Sequence, residues 1–288
     1  MTGIIARYAS LVKFPHTIFA MPFALVGYVY ALRTAPGVSF DWLLLVKILL
    51  CMVFARNAAM GFNRWADRDT DAENPRTAGR EIPRGAVSPK AALWFVIVNA
   101  ALFVAAAAWI NKLAFALSPV ALIVLLGYSY TKRFTAWSHV VLGFALSIAP
   151  VGAYIAVTGT IALAPVVLAA LVMTWVAGFD IIYSQQDAEF DRARGLHSVP
   201  VRFSGWKGLS ISIALHVVTI YAAVVFGLFT SRGTLYWVGA GIFVAMLILQ
   251  HCLVTPTRQR NIGIAFGTVN GIASVVYASF TIADLFVR

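Results

Sequence analysis

Acidic residues are scarce in this chain: of 288 residues only 11 are Asp or Glu, against 22 Lys and Arg. There are only 2 cysteines, and charged residues make up 11% of the chain, well under the quarter or so usual in a globular domain. Each shortage excludes something. Cys51 and Cys252 both fall inside apolar runs, so they read as small core residues and support neither a disulfide nor a metal site. With 61% hydrophobic residues and so few charges, the chain is an integral membrane protein. The net charge of +11 invites a nucleic-acid partner, but the positions of the basic residues explain it through the membrane, and no nucleic acid is expected.

A spanning helix needs about 20 mostly apolar residues, and nine segments qualify, at about 15–33, 42–62, 91–110, 113–130, 138–157, 161–184, 209–230, 234–252 and 263–286. The expected class is therefore all-α. An amphipathic piece, Ile4 to Phe14, precedes the first span, with Pro15 marking a break. No small-residue cleavage site follows, so the first span is expected to be retained. Placing the N-terminus inside puts 16 of the 22 basic residues on the cytoplasmic side, in segments that include 63–90, 131–137, 185–208 and 253–262. A multi-pass protein of the inner (cytoplasmic) membrane is the expectation.

The few acids are not scattered. Five lie between Asp67 and Glu81, four between Asp180 and Asp191, and only Asp41 and Asp284 fall elsewhere. Asn63-x-x-x-Asp67-x-x-x-Asp71 closes one apolar run, and Tyr183-x-x-x-Asp187-x-x-x-Asp191 closes another 120 residues later. On a helix, i, i+4 and i+8 share a face, so each set would present oxygens to one side. Like charges at that spacing repel mildly unless a cation lies between them. Mg²⁺ binds through one or two carboxylates plus substrate phosphate oxygens, so the two clusters read as a diphosphate site, with solvated polar loops as the bland alternative. The offset also predicts pseudo-repeat halves, about 15–130 and 138–252, with 263–286 added, in one domain over 1–288.

Asp180 lies seven residues before Asp187, about 10 Å deeper in the membrane. A charge there costs on the order of 2.5–3.5 kcal/mol, so it should face a polar cavity, a cation or a partner, Arg56 or Lys47 being the structural choices. Asp69 and Glu189, each two residues off its cluster's main face, should point to solvent or support the groups that bind the ion. Lys132 and Arg133, beside Tyr128 and Tyr130 at a span end, are stronger candidates than Arg258 and Arg260, which the charge bias alone explains. His16, His139, His216 and His251 have no ligand spacing and read as packing residues, whereas His197 sits in the second motif loop. Tyr28, Tyr30 and most Phe residues are expected at the lipid or the interface.

Together these residues resemble the UbiA superfamily of intramembrane aromatic prenyltransferases. The likeness covers Lys13-x-Pro15-His16-Thr17, Asn63 to Gly85, Tyr128 to Thr135 and Asp180 to Pro200. It implies nine transmembrane helices around a central cavity under a cytoplasmic cap. It implies an enzyme in which Asn63, Asp67, Asp71, Asp187 and Asp191 hold Mg²⁺ and, through it, a polyprenyl diphosphate. Arg68, Arg80, Lys132 and Arg133 are candidates for diphosphate contact, with Tyr128, Tyr183 and His197 also facing substrate. Asp67, Asp180 and Asp191 are the candidate catalytic acids, Asp191 the first choice for removing the ring proton. The partners implied are a polyprenyl diphosphate, an aromatic acceptor and the bilayer, with no obligate protein partner inferred. Many 4-hydroxybenzoate enzymes carry Lys where this chain has His197, and Phe179-Asp180-Ile181-Ile182-Tyr183 with Gly195-Leu196-His197-Ser198 is most similar to the branch of the futalosine route to menaquinone. A dihydroxynaphthoate acceptor is therefore expected first, with 4-hydroxybenzoate, for ubiquinone, as the alternative.

Other classes fit less well. CDP-alcohol phosphotransferases need Asp-Gly and Ala-Arg within the acidic run, which Asp71-Ala72-Glu73 lacks. Soluble prenyl synthases have no nine-span chain. A secondary transporter would account for repeats and a deep Asp180, but would not require two Asp clusters at one membrane face.

Overall fold

A computed structural model describes residues 2–12 and 19–287, which form helices and no strand. In chain order the α-helices are α1 Thr2–Leu11, α2 Met21–Thr34, α3 Trp42–Ala66, α4 Arg68–Glu73, α5 Pro89–Ile110, α6 Lys112–Gly127, α7 Ser138–Thr158, α8 Leu163–Ser184, α9 Ala188–Ala193, α10 Val199–Arg202, α11 Trp206–Phe229, α12 Thr234–Leu253 and α13 Asn270–Val287. 3₁₀ turns cover Tyr128–Arg133 and Gln185–Asp187, and a π-helical turn, Ile264–Val269, leads into α13. Among the described residues eight helices are long and apolar enough to cross a membrane. The first expected span, 15–33, overlaps α2, which at 14 residues is not one of these eight, and the Lys13-x-Pro15-His16-Thr17 motif before it lies outside the described residues.

The chain divides into two compact units, one holding α1 and α3 to α6, the other α2 and α7 to α13. In the first, α1 docks through Leu11 onto Ile82, Val87 and Ala92, and Tyr8 stacks on Phe95 at 4.9 Å between centroids. Ser88 and Asn111 cap α5 and α6 by accepting from the amides of Ala91 and Ala114.

The second unit has an aromatic interior. Phe23, Trp175, Phe226, Tyr236, Phe243 and Tyr277 are all fully buried, and Tyr28 keeps only 2% of its surface. This corrects the lipid-facing expectation for Tyr28, and Cys252 is exposed where a core residue was expected. The reason is common to both. Lipid is as apolar as a protein interior, so an apolar run does not reveal which of its faces is buried. The interior carries its own polar pairing: Trp175 Nε1 donates to Asn270 Oδ1 at 2.9 Å, and the side-chain Nδ2 of Asn270 donates to the Ala265 carbonyl in the π turn at 2.8 Å.

The two acids outside the clusters are helix caps. Asp41 Oδ1 accepts from the Leu43 amide at 2.8 Å at the start of α3. Asp284, on α13, accepts from the amides of Gly233 and Tyr236 at 2.9 and 3.3 Å and so caps α12 from a neighbouring helix.

α7 crosses α8 with almost no separation at Gly143, where an added Cβ would meet the Met173 carbonyl oxygen at 2.2 Å. Backbone cannot swing away as a side chain can. Gly143→Ala should therefore cost about 1–3 kcal/mol, seen as a lower melting temperature in detergent; an unchanged midpoint would mean that the helices are not this close.

Candidate active site

Both acidic clusters begin where a long span breaks. α3 stops at Ala66, Asp67 takes φ −97°, ψ 6°, and α4 resumes at Arg68. α8 stops at Ser184, and after one 3₁₀ turn Asp187 takes φ −102°, ψ −3° before α9. Helical spacing alone does not reveal these breaks, at which the first Asp of each pair sits in the sparsely populated bridge region. Asp competes with its own backbone through its side chain, which favours such junctions over helix interiors. The i to i−4 bonds still span the first break, with Asp67 N on Asn63 O at 3.0 Å and Asp71 N on Asp67 O at 2.7 Å, so the three residues stay on one side.

In the first unit Asn63 Nδ2 donates to Asp67 Oδ2 at 3.0 Å. Asp71 is buried and its Oδ1 takes Arg80 Nη1 at 2.6 Å. Its Oδ2 is buried with no hydrogen-bond partner among the described residues. Thr77 Oγ1 donates to the Asp71 carbonyl at 3.1 Å and holds the loop that carries Arg80. Arg68 is turned elsewhere: it donates to the Trp65 carbonyl at 2.8 Å, lies over the Trp65 ring and pairs with the exposed Asp69 at 3.4 Å.

Sequence reasoning passed over Arg64. It is 5% exposed, and its charged and phenolic neighbours are Arg80, Asp71, Tyr128 and Glu81. The signal was present as an Arg on the buried side of the motif, but a basic residue at a span end is what the charge bias alone predicts. Glu81 is buried, which disfavours its charged form. The Ser10 hydroxyl that donates to it, with Arg64 and Arg84 nearby, nevertheless holds its carboxyl below the ordinary carboxylate range. Glu81 thereby ties α1 to the motif loop.

In the second unit Asp187 and Asp191 are both buried, while Glu189 is exposed. α9 ends in a Schellman turn: Leu196 N donates to Asp191 O at 2.8 Å and Gly195 N to Arg192 O at 3.3 Å, with Gly195 at φ +68°. This turn aims the chain at the 3₁₀ segment before α7. His197 N donates to the Lys132 carbonyl at 2.7 Å, and Lys132 Nζ lies 3.8 Å from Asp191 Oδ2. The rings of His197 and the side chain of Arg133 are exposed. Tyr183 packs on Phe266 of the π turn at 4.1 Å between centroids. Tyr128 is half-buried in the first unit.

The partner of Asp180 is His139, whose Nδ1 lies 2.7 Å from Asp180 Oδ2. His139 has no exposed surface, and spacing gave no hint of it. Lys47 and Arg56 are engaged within the first unit, on the carbonyls of Trp109 and Val12.

The donor sets suit Mg²⁺ shared with a substrate. Among the described residues no three His, Cys, Asp or Glu side chains converge, as a cage made by protein alone would require. A hard cation completed by phosphate oxygens needs only one or two carboxylates, and the buried Asp71 Oδ2 is an acceptor that such a cation would satisfy.

The UbiA prenyltransferase family matches residues 20–275. A 4-hydroxybenzoate octaprenyltransferase from Shewanella halifaxensis (strain HAW-EB4) is 27% identical over 252 residues, 88% of either chain. Another, from Shewanella piezotolerans (strain WP3 / JCM 13877), is 30% identical over 224 residues, 78% of either chain. The apo structure of a UbiA homologue from Aeropyrum pernix K1 superposes with a TM-score of 0.84 at 31% identity, covering 93% of this chain and 98% of that one. A UbiA homologue from Archaeoglobus fulgidus, solved bound to GPP and Mg²⁺, shares the fold with a TM-score of 0.72 at 24% identity, covering 97% and 99%.

Proposed function

Because this chain belongs to the UbiA prenyltransferase family, we propose that it moves a polyprenyl group from a polyprenyl diphosphate to a ring carbon of an aromatic acid. The observation that carries this reading is local and repeated. In each unit a membrane span breaks at an Asp in the bridge conformation, the following short helix buries a second Asp, and a cation, Arg80 or Lys132, stands against that second carboxylate.

Asn63, Asp67 and Asp71, with Asp187 and Asp191, are the residues that would hold Mg²⁺, which supplies Lewis-acid neutralisation of the diphosphate oxygens when bound. Arg80 and Lys132 bind the same anion by charge-assisted bonds. Apolar span residues keep water from the allylic carbocation until the ring attacks. Asp191 takes the proton from the attacked carbon in this reading. The excess of Lys and Arg in the motif loops supports a cytoplasmic position for them in the inner membrane. A transporter is the weaker reading for a chain of this family.

The names of the curated relatives support 4-hydroxybenzoate as the acceptor, ahead of the dihydroxynaphthoate expected from the sequence. One observation favours the second acid: His197, exposed in the loop that Lys132 anchors, replaces the compact permanent charge of lysine with a flat ring. Offered equal amounts of 4-hydroxybenzoate and 1,4-dihydroxy-6-naphthoate with a polyprenyl diphosphate, the enzyme should yield mainly prenylated 4-hydroxybenzoate by product mass. A product derived only from the naphthoate would assign the second acceptor.

A further inference from the structure

Asp180 is set apart from both acidic clusters by depth, and its fixing is more elaborate than a buried acid requires. It lies on α8 two turns before Asp187, with 17% of its side chain accessible. Behind it His139, on the first turn of α7, has no exposed surface and meets Asp180 Oδ2 through Nδ1 at 2.7 Å. The other ring nitrogen, Nε2, lies 3.3 Å from the amide of Val199, at the start of α10 in the second motif loop.

This arrangement fixes the tautomer. A backbone amide can only donate, so Nε2 carries the lone pair and the ring proton sits on Nδ1, directed at the carboxylate. Asp180 is therefore held through Oδ2, while Oδ1 has no hydrogen-bond partner among the described residues. A ring whose only task was to accept from Val199 would need no carboxylate at its far side, and a carboxylate at this depth is costly to keep. An oriented acceptor oxygen remains, about 10 Å from Asp187 along the helix and on the membrane side of it.

We propose that Asp180 receives the ring hydroxyl of the aromatic acceptor, and that His139 is the positioning residue that aims it. The inference rests on the prenyl-transfer reading above. The hydroxyl donates to Oδ1 and keeps its proton, which moves oxygen electron density into the ring. The bond from C1 of the prenyl chain to oxygen breaks with its electron pair leaving on the diphosphate, and the ortho ring carbon bonds to the allylic cation so formed at C1. The proton on the attacked carbon departs to a separate base, and aromaticity is restored. Either acceptor considered above has the required hydroxyl.

The test uses the full-length protein and whichever of the two acids the wild type prenylates. Asp180→Asn, which keeps the shape and loses the charge, should lower acceptor kcat/KM about a hundredfold and leave the KM for polyprenyl diphosphate within about twofold. His139→Phe should do the same, His139→Asn should restore much of the loss, and the double variant Asp180→Asn/His139→Phe should be no worse than the worse single one. If His139→Phe melts early, Asp180→Asn alone decides. Unchanged acceptor kcat/KM in Asp180→Asn, or equal losses for both substrates, would overturn the proposal while prenyl transfer stood. A wild type that prenylates no aromatic acid would remove the functional reading itself.

Discussion

Asp67→Ala and Asp187→Ala should each lower prenyl transfer by at least about a hundredfold, with the protein still folded. Both residues stand at span breaks where the backbone bonds do not depend on the side chain: Asp67 N keeps its bond to Asn63 O, and Asp187 accepts no cap bond through its carboxylate. What each substitution removes is a carboxylate beside a second, buried one. Loss of one half should not be rescued by the other, because the proposed ion and diphosphate need both. Diphosphate release, product mass and melting temperature should be measured together across a Mg²⁺ titration. Full turnover in either variant would remove the paired-cluster reading, and a collapsed melting temperature would make that residue structural.

Lys132→Met should raise the KM for polyprenyl diphosphate about tenfold or more, by loss of a charge-assisted bond, with little change in the KM for the acceptor. The substitution isolates the ammonium. The Lys132 carbonyl, which accepts from His197 N, belongs to the backbone and survives, so the second motif loop keeps its anchor. The buried Asp191 loses a cation 3.8 Å away, and part of the effect will come from that side. Lys132→Arg should recover most of the affinity. An effect confined to the acceptor would place Lys132 at the other substrate.

Much of this was legible in the sequence. Hydropathy placed the span ends of α3, α5, α6, α7, α8, α11 and α12 to within a few residues, because a bilayer imposes its thickness on every crossing. The two Asp motifs were legible because acids are so rare here that their grouping carries information. Three things were hidden. Which face of a span is buried cannot be read where lipid and interior are equally apolar, and so Tyr28 and Cys252 were misplaced. The breaks, a single residue at Asp67 and one 3₁₀ turn ending at Asp187, leave helical spacing nearly intact. His139 and Arg64 depend on contacts distant in sequence, from 139 to 180 and from 64 to 81, which no local pattern encodes. Arg68, adjacent to the motif Asp and attractive for that reason, is spent on Trp65 and Asp69.

The proposed function is Mg²⁺-dependent prenyl transfer from a polyprenyl diphosphate to an aromatic acid. Its most direct test is to supply the purified protein in lipid with a polyprenyl diphosphate and 4-hydroxybenzoate, and to follow inorganic diphosphate and prenylated acid in the same samples, with Mg²⁺ and with EDTA. The two products should appear in equal amounts, only with Mg²⁺, and EDTA should stop both reversibly. Diphosphate release without a prenylated acid, from this acceptor or from the dihydroxynaphthoate, or transfer that continues in EDTA, would contradict it.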